Sequence, residues 1–172
     1  MAEQNWPPLV VMGVQGSGKS TAGRVTAARL GLPFIDGDDL HPASNKSKMA
    51  AGNPLNDEDR EPWLSAIGRA LAEGVAQGEA RVIACSALKR RYRDLIRSFA
   101  PTVRFVHLDG PQELVAERLS HRNHEYMPAA LLDSQFETLE PLEADEAGIR
   151  LDISLSPEDI AEAVAEALSG GR

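Results

Sequence analysis

Eight residues near the N-terminus, Gly13-Val14-Gln15-Gly16-Ser17-Gly18-Lys19-Ser20, carry the types and spacing G-x-x-x-x-G-K-[ST]. Glycines at these points let backbone N–H groups turn inward around phosphate oxygens, and a helix that starts there adds the positive end of its dipole. A lysine at position 19 reaches the outer phosphates, and a serine hydroxyl at position 20 is a hard oxygen ligand for Mg²⁺. The candidate nucleotide-binding set is therefore Gly13, Val14, Gln15, Gly16, Ser17, Gly18, Lys19, Ser20 and Thr21. ATP and Mg²⁺ are the expected cofactors, with Lys19 acting on the transferring group.

A second cluster, PFIDGDDLHPASNKSKM (residues 33–49), crowds three carboxylates, a histidine and two lysines into a stretch broken by Gly and Pro. Phosphoryl transfer needs a carboxylate to hold Mg²⁺ and often a second to orient or deprotonate the attacking hydroxyl. Asp36, at the end of the apolar lead-in, suits the metal; Asp38, two residues on, suits the hydroxyl. Asp39 reads more simply as a helix cap. Asp109 is a rival metal carboxylate, although an Asp-Gly pair at a strand end is more often a turn. His41, Lys46 and Lys48 supply positive charge for an anionic acceptor.

These clusters need elements to position them. Short apolar runs at 9–12, 33–35, 81–85, 103–108 and 150–155 read as strands. Between them lie segments of helical period: residues 21–30; Trp63, Leu64, Ile67, Leu71 and Val75; and Tyr92, Leu95, Ile96 and Phe99. A last helix starts at Ser156 as cap, with Pro157 in its first turn and Glu158 and Asp159 at the positive end of its dipole. Alternating strands and helices imply right-handed crossovers and a five-stranded parallel sheet with helices on both faces, an α/β fold. With no repeat, low-complexity tract or linker, the 172 residues read as one domain.

Composition removes several function classes. The net charge of −8 opposes nucleic acid and anionic membranes as partners. Cys85 is the sole cysteine, so no internal disulfide forms. The N-terminus lacks the basic and apolar regions of a signal peptide, and no apolar run approaches ~18 residues, so a cytoplasmic protein is expected. A GTP-driven switch is disfavoured because the nearest match to N-K-x-D, Asn45-Lys46-Ser47-Lys48, ends in the wrong charge. A D-x-x-G does occur at Asp145–Gly148, but no apolar strand leads into it.

Further motifs are more specific: HP-x-x-N-x-x-KM from His41, G-x-PL-x-D-x-DR-x-PWL from Gly52, CSALK-x-x-YRD from Cys85 and SQFETLE from Ser134. With them, the stretch from Leu9 to roughly Asp145 resembles the gluconokinase family, small P-loop kinases that phosphorylate D-gluconate on its 6-hydroxyl. The resemblance implies a three-layer α/β/α kinase fold with a mobile lid, and a homodimer. It places Asp38, His41, Asn45, Lys48 and Arg60 around the sugar acid, joined by Lys89 and Arg93. Such a pocket suits a linear polyol with a carboxylate at one end, since Arg grips carboxylates in bidentate fashion and Lys acts as a point charge. Arg90 and Arg91 read instead as a solvated helix face, and Met49, Pro54 and Trp63 as packing. A related kinase acting on shikimate or another sugar acid is the alternative.

The lid, about 118–128, departs from the family pattern R-x-G-H-F-M-P by reading Arg122-Asn123-His124-Glu125-Tyr126-Met127-Pro128. Arg118 and Arg122 remain, four apart on one helical face and suited to clamp transferring phosphate. Arg122→Ala is therefore expected to lower kcat by ~10³-fold, the effect typical of losing an arginine finger, with acceptor binding nearly unchanged. Steady-state ADP release checks this; a kcat within ~3-fold of wild type removes Arg122 from the chemistry.

Overall fold

The computed structural model describes residues 6–53, 55–120 and 129–170. Pro54 and the lid positions 121–128, Arg122 among them, lie outside these.

Strand β1 (Leu9–Met12) is buried at every position. It occupies the middle of a parallel sheet ordered β2-β3-β1-β4-β5, with β2 at Phe34–Asp36, β3 at Val82–Ala84, β4 at Arg104–Asp109 and β5 at Gly148–Asp152. A central strand covered on both faces has no side that must be polar, hence the unbroken LVVM. Its alternate side chains divide the core. Leu9 and Val11 join Ala22, Val115 and Val164 on one face; Val10 and Met12 join Leu64, Ile67 and Ile96 on the other. The first face is covered by α1 (Lys19–Leu30), α5 (Gln112–Ser120) and α7 (Pro157–Gly170), the second by α3 (Asp57–Ala76) and α4 (Arg90–Phe99). Short α2 (Ala43–Ala50) meets the start of α3 through Asn45 Nδ2 on Asp59 O, and α6 (Ala129–Thr138) meets the loop after β1 through Gln135.

The parallel five-stranded sheet agrees with the sequence reading, and boundaries shift where side chains intervene. Strand β5 ends at Asp152 rather than residue 155, because Asp152 Oδ1 accepts the Ser154 N–H at 2.8 Å and turns the chain. Val75, counted on the buried face of α3, is exposed. Ser156 Oγ accepts the Asp159 N–H at 3.0 Å, as a cap of α7 should. Among the described residues no helix is long and apolar enough to cross a membrane.

Two features seat the loop that follows β3. Ala87 holds φ +43°, a left-handed conformation that costs a residue with Cβ roughly 1–2 kcal/mol. Its carbonyl accepts from Arg93 Nη1 at 3.0 Å. The Arg93 guanidinium has no solvent exposure and meets Glu146 through Nε at 2.7 Å and Nη2 at 3.0 Å. Arg97 adds a second cation to the same carboxylate at 2.8 Å. Removing one partner of a buried ion pair strands the other charge, at about 3–5 kcal/mol. Glu146→Ala is therefore expected to lose about that much unfolding free energy in urea titration; a loss under ~1 kcal/mol contradicts this account.

Candidate active site

The phosphate loop leaves β1 at Gly13, whose N–H donates to Ser86 O at 3.3 Å, and enters α1 through Gly18 at φ +91°. Gly18 caps α1 with no side chain and no acidic residue follows in the first turn, so the helix offers its leading N–H groups to an anion. Lys19 Nζ donates to Val14 O at 3.1 Å, folding back over the loop. The loop rests on α5: a Cβ on Gly16 would stand 2.8 Å from Leu119 Cγ. Ser17 Oγ is buried and lacks a hydrogen-bond partner, and Thr21 is exposed in the first turn of α1. Gln15 N–H donates to Gln135 Oε1 of α6 at 2.7 Å.

Beside this loop stand the carboxylates. Ser20 Oγ donates to Asp36 Oδ2 at 3.3 Å, joining the two proposed metal ligands across 16 residues. Two adjacent hard oxygens fit Mg²⁺, which takes few protein ligands and completes its octahedron with water and phosphate. Asp36 Oδ1 accepts the Asp38 N–H at 3.0 Å and so caps a 3₁₀ turn, Gly37–Leu40. Asp36 takes the capping role that the sequence assigned to Asp39. The turn lies tight on β3, where a Cβ on Gly37 would stand 2.2 Å from Ala84 O. Cys85 is buried beneath, its thiol pushed up to about 12 by desolvation, with Lys19 and Asp38 both close enough to act on it electrostatically.

A continuous chain of contacts leads from the turn to the cations. Gly37 O accepts Trp63 Nε1–H at 2.8 Å, and the Trp63 ring stacks on His41 with centroids 4.0 Å apart. Asn45 Nδ2 bonds His41 Nδ1 at 3.2 Å and donates to Asp59 O at 2.8 Å. Lys48 Nζ meets Asp59 Oδ2 at 2.6 Å. Asp57 accepts Lys89 Nζ at 3.2 Å, Arg91 Nη1 at 3.0 Å and the Tyr92 hydroxyl. Arg60 donates to Leu55 O at 2.8 Å and to Tyr92 OH at 3.4 Å. Asp38, His41, Asn45, Lys48, Arg60 and Lys89 therefore belong to one contiguous region beside the phosphate loop.

Two sequence-based assignments change. Arg93 does not face this region: its five N–H donors go to Glu146, Ala87 O, Leu88 O and Pro141 O, leaving none for an acceptor. It supports the loop that carries Lys89. His41 is not a cation, since burial, then the charges of Arg60 and Lys46, lower its pKa to about 4. It offers a neutral ring nitrogen instead. Arg90 stays on a partly exposed helix face, as the sequence suggests, and pairs there with Glu143 at 2.9 Å and Asp145 at 2.7 Å. Arg118 sits in α5 next to Leu119 and donates to Ile153 O, at the corner between β5 and α7.

Asp57, Asp59, Tyr92, Gln135 and Glu146 were missed. Asp59 had a readable signal, the N-x-x-D spacing of a capping box: Asn56 Oδ1 accepts Asp59 N–H at 2.7 Å, and Asp59 Oδ2 accepts Asn56 N–H at 2.9 Å. Hydrogen bonds from Tyr92 and Lys89 hold Asp57 below the usual carboxylate range, and one from Lys48 does the same for Asp59.

A strand, phosphate loop and helix joined to a second strand ending in carboxylates define a P-loop kinase acting on a small molecule. The shikimate kinase family profile matches residues 15–169. The thermosensitive gluconokinase of Escherichia coli K12 is 49% identical over 147 residues, 85% of this chain and 79% of that protein. A sugar kinase structure from Janibacter sp. HTCC2649 superposes with TM-score 0.88 at 45% identity, covering 95% of both chains. A gluconokinase structure from Sinorhizobium meliloti 1021 superposes with TM-score 0.83 at 46% identity, covering 97% of this chain and 92% of that one. The chain belongs to the gluconokinase family within the shikimate-kinase-like P-loop kinases.

The neutral His41 makes stability pH-dependent. Its folded pKa of about 4 lies below the ordinary 6.5, so between these values the unfolded chain binds a proton that the folded chain does not. The contribution is fully present above about 6.5 and is lost as pH falls toward 4, at most on the order of 3 kcal/mol. Burial of His107, whose ring nitrogens both lack hydrogen-bond partners, acts in the same direction. The urea midpoint should fall between pH 7 and pH 5, and His41→Gln should make that fall shallower. An equal slope in the variant would refute the buried neutral ring.

Proposed function

We propose that the protein transfers the γ-phosphoryl group of ATP to the 6-hydroxyl of D-gluconate, giving 6-phospho-D-gluconate and ADP. The observation that carries this reading is the Ser20–Asp36 contact, with Asp38 two residues beyond it, adjoining the region of Lys48, Arg60 and Lys89. A nucleotide-end metal pair, a base and a set of cations are what an anionic polyol acceptor requires. The names of its relatives, which are gluconokinases, support the same choice.

In the proposed reaction Lys19 leaves Val14 O to meet the outer phosphates, which the N–H groups of residues 16–20 cradle. Ser20 and Asp36 would hold Mg²⁺, which supplies charge neutralisation on the phosphate oxygens. Asp38 accepts the proton of the 6-hydroxyl as its oxygen attacks the γ-phosphorus in line, and the bond to the β-phosphate oxygen breaks. Arg118, on leaving Ile153 O, would add positive charge, as would Arg122. At the far end the carboxylate of gluconate meets Lys89, Lys48 and Arg60, and Asn45 and neutral His41 hydrogen-bond the intervening hydroxyls. His41 Nδ1 faces Asn45 Nδ2, so its proton sits on Nε2, where it can donate.

Glucose offers the same primary hydroxyl but no carboxylate. A site built for a charged group discriminates strongly against an analogue that leaves its cations without that partner. ADP release should therefore show kcat/KM for gluconate at least ~10²-fold above that for glucose. Equal use of the two would sink the carboxylate pocket, and a preference for shikimate in the same assay would reassign the acceptor.

A further inference from the structure

The SQFETLE motif, Ser134–Glu140, contributes no side chain to the chemistry above, yet it touches both halves of the site. At one end Gln135 Oε1 accepts the N–H of Gln15, in the phosphate loop, across 120 residues. At the other, the Glu140 N–H donates to Leu88 O at 2.7 Å, and the Glu140 carboxylate accepts the Arg90 N–H at 2.9 Å. Leu88 and Arg90 flank Lys89, the N-cap of α4, which has no side-chain cap of its own. Between the two ends the chain is one helical turn, closed by Leu139 N–H on Gln135 O at 2.9 Å.

The chemistry of each end suits its place. A glutamine oxygen holds the loop as a neutral acceptor, whereas a glutamate there would set a negative charge beside bound phosphates. A glutamate is appropriate at residue 140, because a carboxylate at the start of α4 meets the positive end of that helix. The spacing has a mechanical consequence. The phosphate loop follows β1 and the Lys89 loop follows the neighbouring β3; the strand ladder and the Gly13–Ser86 hydrogen bond align their bases, and contacts such as this turn align the parts beyond. In-line transfer is sensitive to misplacement on the scale of an ångström.

We infer that Gln135 and Glu140 are positioning residues, and that the turn between them holds the phosphate loop and the acceptor loop in fixed register. The inference rests on the proposed role of Lys89 in acceptor binding. It makes no use of the residues before α6.

The test is steady-state ADP release with gluconate for Gln135→Met, Gln135→Glu, Glu140→Ala and the double variant Gln135→Met/Glu140→Ala, with MgADP titration calorimetry on each. Gln135→Met keeps the length and loses the acceptor, so kcat/KM for gluconate at saturating ATP should fall about 10-fold with the melting temperature little changed. Gln135→Glu keeps the acceptor and should hold kcat within about 3-fold, while its added charge raises the KM for ATP in a salt-dependent way. A general loss of packing would not split kcat from KM like this. Glu140→Ala should lower kcat/KM for gluconate about 10-fold and leave the KM for ATP unmoved.

If one rigid turn serves both loops, the double variant should lose about 10- to 30-fold rather than the ~100-fold of independent contacts. Wild-type kinetics in Gln135→Met, or an additive double variant, would overturn the inference. Should the wild type itself fail to use gluconate, the acceptor assignment falls, and calorimetry decides the rest. MgADP bound at least ~3-fold more weakly by Gln135→Met would then support the grip on the phosphate loop, and unchanged affinity would overturn it.

Discussion

Arg93 carries a permanent positive charge into a place closed to water, and such a charge is tolerable only if every donor is met. Glu146 meets it from 53 residues away, and the carbonyls of Ala87, Leu88 and Pro141 take the remaining N–H groups. The pair does more than neutralise itself. Salt bridges from Arg93 and Arg97 hold the Glu146 carboxyl ionised down to about 2 despite its burial, so the link persists across the physiological range. It fixes a left-handed Ala87 and with it the path of the chain into α4, which decides where Lys89 and Tyr92 project. The acceptor side of the site is thus built outward from a buried ion pair, whereas the nucleotide side is built from backbone.

That backbone is set by close approach. Gly16 lets the phosphate loop lie on Leu119, and Gly37 lets the Asp36–Asp38 turn lie on Ala84. Any side chain at either place would push one half of the site away from the other. The floor between them, Ala84 and Cys85, is buried and apolar, and the Cys85 thiol is correspondingly inert. Charges beside such a floor are weakly screened, which strengthens Lys19 and the carboxylates alike. On the acceptor side the cations are balanced by Asp57 and Asp59. An incoming carboxylate therefore competes with two of the protein's own, so geometry and hydrogen bonding, rather than net charge, must favour the correct acceptor.

What could be read from sequence follows the range of the interaction. Strand β1 was found at its observed limits because four apolar residues in a row suit only a strand buried on both faces. The phosphate loop, the Ser156 cap and the Ser20–Asp36 pairing were legible because each joins a local motif to a strand end. Arg93 was not: the resemblance places it beside the sugar acid, and only Glu146, brought there by the fold, turns it inward instead. The charge of His41 depends on Trp63, 22 positions later, stacking over its ring. Asp57 looked like an ordinary first-turn acid, which it also is, and nothing in its neighbourhood announces Lys89 or Tyr92. Long-range polar pairing was the blind spot, and it concerns the acceptor pocket far more than the nucleotide loop.

Close approach also fixes the two helices that border the phosphate loop. Helix α5 is pinned beside the phosphate loop by Leu119 against Gly16, and α6 by Gln135 on the Gln15 N–H. Both anchors lie on the one loop, at the adjacent residues Gln15 and Gly16, so α5 and α6 are held to the same short stretch of backbone. Movement of that stretch is therefore resisted by two helices at once.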